Sequence, residues 1–145
     1  MKDILVIHGV NLNLLGERER EIYGRSTLED INSRIQSLCD ELKVSVDIFQ
    51  TNHEGGIVDK IIEYAHNCRV IILNPGAYTH YSYAIRDCIS GVGLPVIEVH
   101  LTNIFARESF RASSVIAPVC AGQISGFGPN SYYLAVRQAG KLIEK

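Results

Sequence analysis

Five short apolar runs alternate along this chain with segments of helical period, and few folds accept that alternation. The runs at 4–8, 44–50, 69–74, 95–100 and 115–120 have strand length. Several are continuously hydrophobic, as strands covered on both faces are. Between the first two, Leu28, Ile31, Ile35, Leu38 and Leu42 recur at three- and four-residue intervals, behind Ser26 and Glu29 at capping-box spacing. Further helices are predicted at 56–67, 81–90 and 130–144, with a short one at 103–109. This order predicts an α/β class fold, a flavodoxin-like doubly wound five-stranded parallel sheet. A length of 145 residues supports one core, so 1–145 is read as a single domain.

Open α/β sheets bind ligands beyond the carboxyl ends of their strands. There the chain concentrates its polar residues. The first strand is followed by Asn11, Asn13, Arg18 and Tyr23, and the second by Gln50-Thr51-Asn52-His53-Glu54. The third leads into Asn74-Pro75-Gly76-Ala77-Tyr78-Thr79-His80, the fourth into Glu98-Val99-His100-Leu101-Thr102-Asn103. Arg18 and Tyr23 are the most informative pair. A phenol is a poor base, with an ordinary pKa of about 10. A guanidinium about 4 Å from a phenolate, at an effective dielectric of about 20, favours the ionised form by roughly 4 kcal/mol. The alternative is that both are surface residues of a mobile loop.

Other chemistries fit less well. The net charge of -2, pI near 6.2 and lack of a basic run argue against nucleic acid. The apolar stretches at 70–73 and 115–119 are too short to span a membrane, and no signal-like segment precedes the first strand, so a soluble cytoplasmic protein is expected. Neither a P-loop nor a dinucleotide fingerprint follows the first strand. His53, His80 and His100 are the conceivable metal ligands, but no pair has the helical spacing of a strong site, and no metal or cofactor is implied. Cys39, Cys68, Cys88 and Cys120 read as buried free thiols, three in helices and one in a strand. The lysines Lys2, Lys43, Lys60, Lys141 and Lys145 lie away from the loop cluster, which disfavours Schiff-base chemistry.

Taken together the motifs resemble one family. Asn11-Leu12-Asn13-Leu14-Leu15-Gly16 with Arg18 and Tyr23-Gly24, the three loops above, Ala84-Ile85-Arg86-Asp87, Ala106-Arg107-Glu108, Phe110-Arg111, Gly122-Gln123-Ile124-Ser125-Gly126-Phe127-Gly128 and Tyr133-Leu134-Ala135 occur in the order found in type II 3-dehydroquinate dehydratases. The resemblance covers essentially the whole chain. It implies elimination of water from 3-dehydroquinate to give 3-dehydroshikimate, in the shikimate pathway to chorismate, without a cofactor.

By the same resemblance Tyr23 is the base, held as phenolate by Arg18, and Asn11 holds a water on the enolate oxygen; Asn11 could instead be only a turn residue. His100 is the acid that protonates the leaving hydroxyl, placed by Asn74 and tuned by Glu98, which the i, i+2 spacing puts on the same strand face. The carboxylate rests on the backbone N–H groups of Leu101 and Thr102, and the ring hydroxyls on His80 and Arg111, with Asp87 reaching in from a neighbouring subunit. Glu54 and Arg107 are read as orienting the loop arginine and tyrosine, or else as ordinary surface ion pairs. A homododecamer of trimers is implied.

The chain departs from the family at Val10 and Arg20, where proline is usual, at Thr102, usually serine, and at Ala112, often histidine. These put substrate affinity and loop closure in question more than the reaction. Residues 16–24, charged and bounded by Gly16 and Gly24, are expected to form a lid. Two other readings share the fold: a binding or signalling domain, disfavoured because the first strand ends in His8, Asn11 and Asn13 rather than in acidic residues, and an inactive relative.

Overall fold

The structure, a computed structural model, describes residues 1–144. In chain order its main elements are β1 (Ile4–His8), α1 (Arg20–Tyr23), α2 (Leu28–Leu42), β2 (Val46–Gln50), α3 (Glu54–Tyr64), β3 (Val70–Asn74), α4 (Tyr83–Val92), β4 (Val96–His100), β5 (Gly122–Ser125) and α5 (Asn130–Glu144). The strands form one parallel sheet in the order β2-β1-β3-β4-β5, the flavodoxin-like order. Among the described residues no helix is long and apolar enough to cross a membrane.

Alternation along β1 assigns the two faces. Ile4 and Val6 pack with Ile31, Ile35 and Leu38 of α2 and Val136 of α5. Leu5 and Ile7 pack with Ile57 and Ile61 of α3 and Ile85 and Ile89 of α4. Helices therefore cover both faces, which is why the central strands read as unbroken apolar runs.

The largest sequence-level error is the last strand. Residues 115–120 do not join the sheet; Ala117–Val119 is a 3-10 turn containing Pro118, and the edge strand is the much more polar Gly122–Ser125. The 113–116 segment is instead a strap across the loop after β3. His80 Nδ1 donates to the Ser113 carbonyl at 2.8 Å, the Val115 N–H donates to the Thr79 carbonyl at 2.9 Å, and Arg86 donates to the Val115 carbonyl at 2.9 Å.

The cap of α2 is also shifted by one residue. Thr27 and Asp30, not Ser26 and Glu29, close the capping box, because the threonine hydroxyl accepts from the Asp30 N–H and the aspartate accepts from the Thr27 N–H. Ser82 caps α4, which starts two residues later than expected. The predicted helix at 103–109 is two 3-10 turns, Ile104–Ala106 and Ser109–Ala112. Cys68 and Cys120 lie outside helices and strands; all four cysteines are free, and burial raises their thiol pKa values, to about 11 at Cys39 and about 12 at Cys120.

Register brings His8, Gln50 and Asn74 side by side at the carboxyl end of β2, β1 and β3. Beyond it, the loops after β1 and β3 touch through two glycines. A Cβ on Gly9 would sit 2.5 Å from the Pro75 carbonyl carbon, and one on Gly76, whose φ is +65°, 2.8 Å from the Val10 oxygen. Chains leave β1 for β2 on one side and β3 on the other, so this contact marks the crevice where such sheets bind ligands.

Candidate active site

A cavity of about 170 Å³ opens at that crevice. It is small beside the 300–1,000 Å³ usual for drug-sized ligands, and suits a compact polar molecule better than a nucleotide. Of the expected catalytic and binding residues, Asn11, Arg18, Tyr23, Asn74, His80, His100, Leu101, Thr102, Arg107 and Arg111 line it. Among the described residues no three His, Cys, Asp or Glu side chains gather as metal ligands, and none of the described lysines lines the cavity.

Tyr23 ends α1, half-buried, with two guanidinium groups beside its ring. The Arg18 carbon lies 4.8 Å and the Arg107 carbon 5.1 Å from the ring centroid. Both arginines have a buried Nε without a hydrogen-bond partner among the described residues. Arg18 is 3.5 Å from Glu19, a cavity-lining carboxylate absent from the sequence-based set, whose backbone is left-handed at φ 41°. Arg107 also donates to Thr102 Oγ1 at 3.4 Å. The sequence reading has Glu54 and Arg107 orient Arg18 and Tyr23, or else form ordinary surface ion pairs; Arg107 lies beside the Tyr23 ring, whereas Glu54 heads α3 and does not line the cavity.

The strand spacing of Glu98 and His100 does bring them together: His100 Nε2 lies 2.6 Å from Glu98 Oε2. Glu98 is fully buried and His100 only 6% exposed. Thr79 donates to Glu98 at 2.7 Å, and the Ser114 hydroxyl, at 2.9 Å from each carboxylate oxygen, donates from the strap. Burial alone would raise the Glu98 pKa, but His100, Thr79 and Ser114 together hold it below the ordinary value. A buried carboxylate thus faces Nε2 and leaves Nδ1 toward the cavity. Thr79 and Ser114 carried no role in the sequence, because their partner is 16 or more residues away.

Asn74 is not what places His100. Its amide oxygen accepts from the Gly76 N–H at 3.1 Å, and its amide nitrogen donates to the Tyr132 hydroxyl at 3.1 Å. His80 donates through Nδ1 to Ser113, which in the neutral ring leaves Nε2 as an acceptor, and burial lowers its pKa. Arg111 is braced by Glu108 at 2.9 Å. The Leu101 and Thr102 N–H groups have no acceptor among the described residues, so they are free for an anion. Asn11 has the left-handed backbone of a turn residue, φ 67°, and also lines the cavity. Asp87 is exposed on α4 and does not reach the cavity of its own chain.

His8, at the end of β1, is wholly buried between Tyr132 and Asn32, each at 2.7 Å. Burial lowers its pKa from 6.5 to about 4, against the opposing hydrogen bond of Asn32. The unfolded chain therefore binds the extra proton between these two pH values, and stability must fall as the pH drops from 6.5 to 4. About 2.5 pKa units correspond to roughly 3 kcal/mol. His8→Asn, which cannot be protonated, should flatten melting temperature against pH in this window; parallel curves for the two proteins would remove His8 as the cause.

The dehydroquinase class II family profile matches residues 2–140, which contain every lining residue of the cavity. The chain belongs to the class II dehydroquinase family. It is 54% identical over 145 residues to a 3-dehydroquinate dehydratase of Caldicellulosiruptor bescii, covering 99% of this chain and all of that one. To the 3-dehydroquinate dehydratase of Bacillus subtilis it is 51% identical, over 94% of this chain and 93% of that one. The crystal structure of a type II dehydroquinase from Butyrivibrio crossotus superposes with a TM-score of 0.93 at 48% identity, over 95% of this chain and 97% of that one. Of the family departures, Val10 abuts Gly76 and Arg20 donates from Nε to the Gly16 carbonyl at 2.8 Å, tying one end of the 16–24 loop to itself. Nothing in the structure explains Ala112.

Proposed function

We propose that this chain is a 3-dehydroquinate dehydratase of the shikimate pathway, removing water by anti elimination through an enolate. The observation that carries the reading is the pairing, in one cavity, of a tyrosine beside two guanidinium groups with a buried carboxylate–histidine pair. Tyr23, with two guanidinium groups beside its ring, acts as the base and takes the proton from carbon 2. The electron pair moves onto the ketone oxygen, where a water held by Asn11 stabilises the enolate. When the enolate collapses, the carbon 1–oxygen bond breaks, and the hydroxyl takes a proton from His100 and leaves as water. Tyr23 then returns its proton to solvent and His100 regains one, so the cycle closes.

The remaining residues bind. The free N–H groups of Leu101 and Thr102 take the carboxylate, while His80 Nε2 accepts from one ring hydroxyl and Arg111 donates to another. Residues 16–24 close over the bound anion as a lid. Asp87, too far round α4 to serve its own cavity, completes that of a neighbouring subunit in a homododecamer built from trimers.

Mixing the purified protein with 3-dehydroquinate, without added metal or cofactor, should produce the ultraviolet absorbance of a conjugated enone. A folded sample that gives none, at any enzyme concentration, sinks the reading and favours an inactive relative that only binds.

A further inference from the structure

Behind the cavity a chain of hydrogen bonds runs Gly76, Asn74, Tyr132, His8, Asn32, and only one direction of donation is possible along it. The Gly76 backbone N–H can only donate, so the atom of Asn74 it meets at 3.1 Å is the carbonyl oxygen. Asn74 must then offer N–H to the Tyr132 oxygen, 3.1 Å away. Tyr132 is fully buried and its hydroxyl proton has one remaining acceptor, His8 Nδ1 at 2.7 Å. His8 is thereby the Nε2–H tautomer, donating to Asn32 Oδ1 at 2.7 Å. One backbone amide fixes the polarity of four side chains.

We propose that Tyr132 and His8 are positioning residues that hold the Asn74 carboxamide with a free N–H, never its oxygen, toward the cavity. An Asn amide has two N–H donors; Tyr132 uses one, and Asn74, 3% exposed, lines the cavity with the other. The group presented is a donor suited to an oxygen acceptor on the bound molecule. Loss of the Tyr132 hydroxyl or of the His8 Nδ1 acceptor removes one of the two restraints on the amide and leaves the Gly76 N–H alone to hold it. Neither His8 nor Tyr132 lines the cavity, so each acts only through Asn74. Imidazolium at position 8 would donate at both nitrogens and leave the Tyr132 proton without an acceptor, which is the structural reason for a neutral ring there.

The inference rests on the dehydratase reading for its kinetic arm and is independent of it in its spectroscopic one. With 3-dehydroquinate as substrate, Tyr132→Phe and His8→Leu should each raise KM about tenfold, whereas a merely structural lesion lowers the amount of active protein and leaves KM alone. His8→Asn restores an acceptor near the Nδ1 position and should recover most of what His8→Leu loses. If Tyr132→Phe does not fold, the contrast between the two position-8 variants decides. Unchanged KM in the folded variants, or equal loss in His8→Asn and His8→Leu, overturns the proposal. The ¹⁵N shifts of His8 in the unaltered protein at neutral pH should report protonated Nε2 and bare Nδ1. The opposite tautomer overturns the proposal whether or not the chain turns over 3-dehydroquinate.

Discussion

Tyr23→Phe should lose turnover by a factor of about 10³ or more, at the upper part of what a positioned general base contributes. The ring, which packs half-buried against the core on the α2 and α5 side of the sheet, is retained in the variant, so its melting temperature should stay near that of the unaltered protein. Only the acidic oxygen is removed. Binding of the product should survive, since the groups assigned to the carboxylate and hydroxyls are untouched. A folded variant within tenfold of normal turnover would overturn the base assignment.

His100→Ala should cost about 10² to 10⁴ in turnover, with a clear stability penalty as well. The difference from Tyr23 lies in what is left behind. Glu98 is fully buried, and without the ring opposite Oε2 it keeps only the Thr79 and Ser114 hydroxyls. A buried carboxylate deprived of its main partner is costly. Since His100 helps to hold the Glu98 pKa down, its loss removes stability that is present above the ordinary carboxylate range, so the penalty should be largest near neutral pH and shrink as the pH falls and Glu98 is protonated. His100→Ala,Glu98→Gln should regain stability but not turnover. Full activity in either variant would take His100 out of the acid role.

What was legible in the sequence was what repeats or sits close by. Periodicity found α2 and α5 and the first four strands, because burying a face imposes a spacing. The i, i+2 relation of Glu98 and His100 was enough to predict their contact. The fifth strand is not legible because apolar content does not by itself mean pairing: Ile116 is buried and Val115 half-buried by side-chain packing in the core that holds Ile85 and Ile89 of α4, without joining the ladder, and Pro118 lacks the N–H a ladder requires. At the site, the long-range partners stayed hidden. Thr79, Ser114, Tyr132 and Asn32 are ordinary residues until the fold sets them against Glu98 and His8. Glu54 is the converse case: it sits next to a motif in the sequence, yet it does not line the cavity.

The His8–Tyr132 hydrogen bond joins residues 124 positions apart. Closing so large a loop carries an entropic cost that local helices do not bear. A chain folding from its unfolded state can therefore acquire most of its helix before β1 and α5 meet, and until they do the Asn74 amide has no Tyr132 to face. The Asn74 amide thus takes its full set of partners only when distant parts of the polypeptide have found each other.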